Sequence, residues 1–202
     1  NAKNNDAFSN GLVGYWKMNE SSWTNDCSTT SVTDSSGNGN NGTACPASTG
    51  PTGGAVGKFG NAGSFDNSND YISLSNLNVD TSAGGKNTVS FWMYWNGVEG
   101  KMPFGMTSYD LYFSSSCFGF NTAQSNIFGM SSTGLANRWA YVTAVFYNGV
   151  PNSTDSAIYI DGVKQTISSC VGTTSASRTV TTTAKISGWN NDTGYIFGGS
   201  LD

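Results

Sequence analysis

The sequence contains no histidine and only two glutamates, Glu20 and Glu99. Without histidine there is no Ser-His-Asp or Cys-His apparatus and no imidazole ligand for zinc. Charged residues make up 11% of the chain, against about 25% in ordinary soluble domains. Exposed helix faces draw on Glu, Lys, Arg and Ala, so this shortage argues against a helical bundle. The nine basic residues are scattered from Lys3 to Lys185, and the net charge is −4. No basic stripe marks a nucleic-acid footprint. No run reaches the ~18 apolar residues that a membrane-spanning helix needs.

What the chain does have is aromatic side chains, 6 Trp, 9 Tyr and 11 Phe, in a background of Ser, Thr, Asn and Gly. Those polar residues suit turns and solvated strand faces. At 202 residues one domain can bury roughly 70% of the surface of the unfolded chain. Short strand signals recur with turn residues between them. The first is at 12–18, followed by polar loops over 19–58. Others fall at 62–66, 70–74, 88–95, 109–113, 117–120, 138–146, 157–160, 163–166, 184–189 and 195–199. Asp161-Gly162 between two of them is a hairpin signal. About a dozen strands with no helical period predict an all-β antiparallel sandwich or jelly roll. Residues 1–10 read as a linker or the end of a preceding element, and 11–202 as the domain.

The run 88–95 is unusual. Val89, Phe91, Met93 and Trp95 alternate with Ser90, Trp92 and Tyr94, and both sets are rich in apolar or aromatic residues. Such a strand is either covered on both sides or has one aromatic face lining a groove. The four cysteines, Cys27, Cys45, Cys117 and Cys170, form no C-x-x-C pair. Of the three pairings that four cysteines allow, proximity and strand layout favour Cys27–Cys45 and Cys117–Cys170. Two disulfides predict an oxidising, extracellular compartment; four buried thiols in a reducing one are the alternative.

Several segments together resemble the laminin-G-like, pentraxin-like branch of the concanavalin A-like lectin/glucanase superfamily. They are Gly11-Leu12-Val13-Gly14-Tyr15-Trp16 with the Asn19-Glu20 turn, the loop Asp34 to Thr43, Gly57 to Asp66 leading to Tyr71-Ile72, Thr88 to Trp92, Asn137 to Thr143, and Ile158 to Val163. The resemblance implies a jelly-roll fold, and a further strand after Asp202 that pairs near the first. It implies a non-catalytic role in carbohydrate binding or adhesion, on a microbial surface or as the lectin module of a pilin, within a larger surface protein. Expected partners are glycans or host surface glycoproteins. A module binding host matrix proteins, a glycosidase accessory domain and a structural spacer are the alternatives.

Two sets of candidate residues follow. The Asx- and Gly-rich loop 34–43 is a candidate calcium site with Asp34 and Asn40 as ligands, because calcium gathers carboxylate, amide and carbonyl oxygens. The resemblance brings Asn19, Glu20 and Asp202 near it. A loop that caps itself through side-chain hydrogen bonds is the competing reading. For sugars, an aromatic ring beside Asp or Asn acceptors is the required chemistry. Trp189-Asn190-Asn191-Asp192, Tyr109-Asp110 and Trp95-Asn96 offer it, with core packing as the plainer role of each ring. No catalytic residue is assigned: paired cysteines are not nucleophiles, and no glutamate pair is placed for glycoside hydrolysis.

Overall fold

A computed structural model describes residues 10–123, 125–189 and 194–202. Among them there is no helix, and two antiparallel sheets of nine and seven strands form a sandwich. The larger sheet runs in the order β1 (Thr30–Val32), β2 (Gly42–Cys45), β5 (Tyr71–Leu74), β15 (Ala184–Ile186), β7 (Lys101–Met106), β8 (Asp110–Ser114), β9 (Cys117–Ala123), β10 (Asn126–Ser131), β14 (Ser168–Val171). The smaller runs β13 (Val163–Lys164), β12 (Ala157–Ile160), β11 (Trp139–Tyr147), β6 (Lys86–Trp95), β16 (Gly198–Leu201), β4 (Asn61–Asp66), β3 (Thr52–Val56).

Strict alternation decides which side chains meet between the layers. In β11 Ala140, Val142, Ala144 and Phe146 are fully buried while the odd-numbered residues are partly exposed. Facing them from the larger sheet are Leu111 and Phe113 of β8 and Phe118 and Phe120 of β9. The Trp95 ring stacks on Phe113 at 3.9 Å between centroids, and Phe113 on Phe118 at 4.3 Å. Each large side chain so buried contributes roughly 1.5–3 kcal/mol. The expected hairpin forms at Asp161-Gly162, where both residues have positive φ, 53° and 80°. Both expected disulfides are present, Cys27–Cys45 and Cys117–Cys170.

Some strand expectations need correction. Residues 12–18 make no strand beyond one bridge, Trp16 to Asp34. Within the supposed loop region 19–58 lie β1, β2 and β3, and β7, β10 and β14 were unmarked by the sequence. β7 carries Pro103, placed at the irregularity where its pairing with β8 slips by one residue, the position a proline can occupy within a sheet. The last strand, β16, lies inside its sheet between β6 and β4.

Candidate functional site

The pairing of β6 with β11 builds a block of aromatic rings on the outer face of the smaller sheet. The register sets Trp92 opposite Tyr141 and Tyr94 opposite Trp139. Because Phe91, Met93 and Trp95 point into the core with Val142 and Ala140, their neighbours Trp92 and Tyr94 must point out. The ring centroids are 5.1 Å apart for Trp92–Tyr141 and 5.8 Å for Tyr94–Trp139. Directly opposed aromatic pairs of this kind also stabilise the sheet, by about 0.2–1 kcal/mol each. A fifth ring, Phe59, 64% exposed, stands edge-on to Trp92 at 5.8 Å. It comes from the turn between β3 and β4, which is fixed at both flanks. The Phe59 backbone N–H donates to Asp202 Oδ2 at 2.8 Å, and that of Asn61 donates to Asn19 Oδ1 at 2.9 Å.

Polar groups border the rings in register. The row through Tyr94 and Trp139 continues across β16 and β4 as Ser200 and Ser64. On the next level the Trp92 backbone exchanges hydrogen bonds with Asp202, and the Tyr141 N–H donates to Asp161 Oδ1. Ser90 and Thr143 hydroxyls share a hydrogen bond on the level beyond. Two cations lie here as well: Lys58 Nζ is 5.0 Å from the Trp92 ring centre, and Arg138 Nη1 pairs with Asp161 Oδ2 at 2.8 Å. Partial burial of Asp161 would raise its carboxyl, but the Tyr141 N–H, the Arg138 guanidinium and nearby Lys58 together hold it below the usual carboxylate range. The result is a face of apolar rings framed by hydroxyls and by the side chains of Asp161 and Asp202, with the cations Lys58 and Arg138 beside them. It offers C–H stacking and hydrogen-bond acceptors side by side.

The residues singled out from the sequence fall elsewhere. Trp95 and Tyr109 are core side chains, 3% and 0% exposed, so neither ring is open to a ligand. The Trp95 indole N–H is spent on the Val98 carbonyl. Asp110 and Trp189 are brought together on the outer face of the larger sheet. A Cβ at Gly105 would lie 2.7 Å from Asp110 Oδ1, 2.7 Å from Trp189 Cβ and 2.4 Å from the Gly188 carbonyl oxygen. Only glycine permits that approach. The contact is closed, with Asp110 fully buried. Burial pushes its carboxyl up to about 7 against the opposing pull of Asn121 and Arg178. Among the described residues, no hydrogen-bond partner reaches buried Asp110 Oδ1, Asn121 Oδ1 or Trp189 Nε1. Asn190, Asn191 and Asp192 lie outside the described residues. Trp92, Tyr94, Trp139, Tyr141 and Phe59 were not proposed from the sequence, although the second apolar parity of 88–95 was their signal.

The five expected calcium ligands are divided between two hydrogen-bonded neighbourhoods, loop 34–43 and the Phe59 turn, with Glu20 bonded to Thr33 and Trp23. Asp34 already has both carboxylate oxygens occupied. Oδ1 accepts from the Tyr15 and Ser36 N–H groups, and Oδ2 from the Ser36 hydroxyl and the Asn40 N–H, all at 2.8–2.9 Å. Asn40 Nδ2 donates to the Val13 carbonyl, and the Asn40 carbonyl accepts from Trp16 Nε1. Glu20 accepts from the Thr33 N–H and from Trp23 Nε1. Asn19 and Asp202 serve the Phe59 turn instead. Among the described residues no three acidic, cysteine or histidine side chains gather as a metal cluster. Loop 34–43 is thus a hydrogen-bonded clasp that staples residues 13–16 to the sandwich.

Comparison with known proteins gives a consistent picture of the fold. The model of the Laminin_G_3 family, concanavalin A-like lectin/glucanases superfamily, matches residues 66–202, which include β6 and β11 but not loop 34–43. No curated protein matches the sequence. Among solved structures, the chain is similar to domain 4 of AbnA, a GH43 extracellular arabinanase from Geobacillus stearothermophilus, in complex with arabinotriose. The TM-score is 0.56 at 17% identity, covering 84% of this chain and 83% of that one. It is also similar to the botulinum neurotoxin serotype D ligand-binding domain in complex with N-acetylneuraminic acid. There the TM-score is 0.47 at 16% identity, over 82% of this chain and 41% of the toxin domain.

Proposed function

The chain belongs to the Laminin_G_3 family of the concanavalin A-like lectin/glucanases superfamily, and from that premise we propose that it is an extracellular, non-catalytic carbohydrate-binding module whose ligand lies on the ring block of the smaller sheet. The observation that carries the reading is the cross-strand register that turns Trp92, Tyr94, Trp139 and Tyr141 outward together. Sugars present apolar C–H faces and hydroxyl edges, which rings and bordering Ser64, Ser200, Asp161 and Asp202 complement. Domain 4 of the extracellular arabinanase, whose structure is a complex with arabinotriose, is in keeping with this role. The two disulfides suit an oxidising compartment, where such a module would serve as an adhesin on a microbial surface or pilus, or as an accessory domain.

A binding role fits the carboxylates better than hydrolysis does. A glycosidase needs a proton-donating carboxyl with raised pKa at the sugar. Among the described residues the two raised carboxyls are Asp110 and Asp70, both buried, and neither borders the rings. Asp161, which does, is held low.

The test is glycan-array binding by the wild type and by a Trp92→Ala, Trp139→Ala double variant, with thermal unfolding of both. Loss of at least tenfold in affinity, with the variant still folded, is expected. Full retention of binding by a folded double variant would remove the rings from the site.

A further inference from the structure

Resting on that reading, we propose that the ring block takes interior units of an uncharged glycan chain lying across the strands, and does not grip a single terminal sugar. The rings are arranged in rows perpendicular to the strands. Phe59, Trp92 and Tyr141 follow one another at 5.8 and 5.1 Å, and Tyr94 and Trp139 form a parallel row at 5.8 Å. The Trp92–Tyr141 and Tyr94–Trp139 steps follow the spacing of the paired strands β6 and β11, about 4.8 Å between neighbouring strands, and Phe59 extends the first row from the β3–β4 turn. A row of successive rings offers stacking surface to more than one sugar unit along its length. Recognition of a chain end needs a wall that stops the next unit, and two surface clefts formed by described residues lie away from the rings. One is lined by residues around Leu12, Asn38, Asn40, Asn76 and Asn78, the other by Ser153 and residues 164–167. The Tyr94–Trp139 row is continued on one flank by the small side chains Ser200 and Ser64, so a chain can run on past it.

Charge sets the ligand class. Lys58 and Arg138 stand against Asp161 and Asp202 around the rings, which leaves no surplus cation to reward an anionic sugar. The acceptor oxygens that remain suit hydroxyl donors.

The experiment is calorimetric titration of the wild type with arabinan, xylan, mannan and mixed-linkage β-glucan. Oligosaccharides of one to six units follow from whichever polymer binds, with and without reduction of the chain end. The expected result is affinity rising at least tenfold from one to three units and then levelling, unchanged by end reduction. A folded Phe59→Ala variant should flatten the length dependence. A monosaccharide that binds as tightly as the trimer, or binding abolished by modifying the chain end, would overturn the inference while leaving glycan binding intact. Strong preference for a sialylated or uronate-bearing array glycan would overturn the charge argument. Silence of every glycan would overturn the proposed function itself, and this inference with it.

Discussion

Raising the pH from 4.5 to 8 should destabilise this protein, because of Asp110. Its side chain is fully buried on the outer face of the larger sheet, against Gly105, which Gly188 and Trp189 also approach closely. Burial pushes its carboxyl from 3.8 up to about 7. The folded state therefore keeps a proton that the unfolded chain releases near pH 4. Stability from this group is complete below pH 4 and is lost as pH climbs towards 7. At roughly 1.4 kcal/mol per pH unit, the full loss is about 4 kcal/mol. Asp70, raised to about 6 by burial and by neighbouring Asp66, acts in the same direction. Asp34 and Asp161, held low, lose their contribution only in more acidic solution, so the windows separate. Urea unfolding with intact disulfides, at pH 4.5, 6, 7 and 8, measures the slope. Asp110→Asn, which keeps the shape and removes the titration, should be markedly less pH-dependent and more stable than wild type at pH 8. Stability that rises with pH over this range, or an Asp110→Asn slope equal to that of wild type, would refute the reasoning.

Three further outcomes concern the fold. Asp34→Ala removes four hydrogen bonds to a carboxylate and should cost about 3 kcal/mol in denaturant unfolding. For the same reason the thermal midpoint of chelated wild type should not move when millimolar calcium is added, and a clear rise would restore the calcium reading. Opening Cys117–Cys170, which closes a 53-residue span, should cost about 4 kcal/mol, and opening Cys27–Cys45, an 18-residue span, about 3. Paired Cys→Ala variants compared by calorimetry check that order.

Much of the sandwich was legible because strand parity and turn chemistry are local. Asp161-Gly162 dictated its hairpin, and the alternation of 138–146 matched β11. The strands that escaped notice have local features that obscure them: β3 is interrupted by Gly53 and Gly54, β7 by Pro103, and β1 and β2 sit among Ser, Thr and Asn. Residues 12–18 looked like a strand, yet Trp16 sends its indole N–H to the Asn40 carbonyl and Met18 has a φ of 53°, so pairing does not propagate. The site itself was half legible. Alternation in 88–95 separates Trp92 and Tyr94 from Trp95, but with two apolar parities it cannot say which faces out. That choice is made by β11, whose Ala140 and Val142 require bulky partners inside. Asp34 was a sound choice of anchor, but the donors that saturate it come from residues 15, 36 and 40. Whether a carboxylate holds a cation or backbone N–H groups depends on that local fold.

The central claim is most directly tested by following the six indole N–H resonances in a proton–nitrogen correlation spectrum while titrating a glycan identified on the array. Trp92 and Trp139 should shift on the affinity curve of the ligand, with Trp16, Trp23 and Trp95 unmoved because their N–H groups are held by Asn40, Glu20 and Val98. Shifts confined to Trp189, with Trp92 and Trp139 silent at saturation, would place the ligand on the opposite sheet and contradict the account.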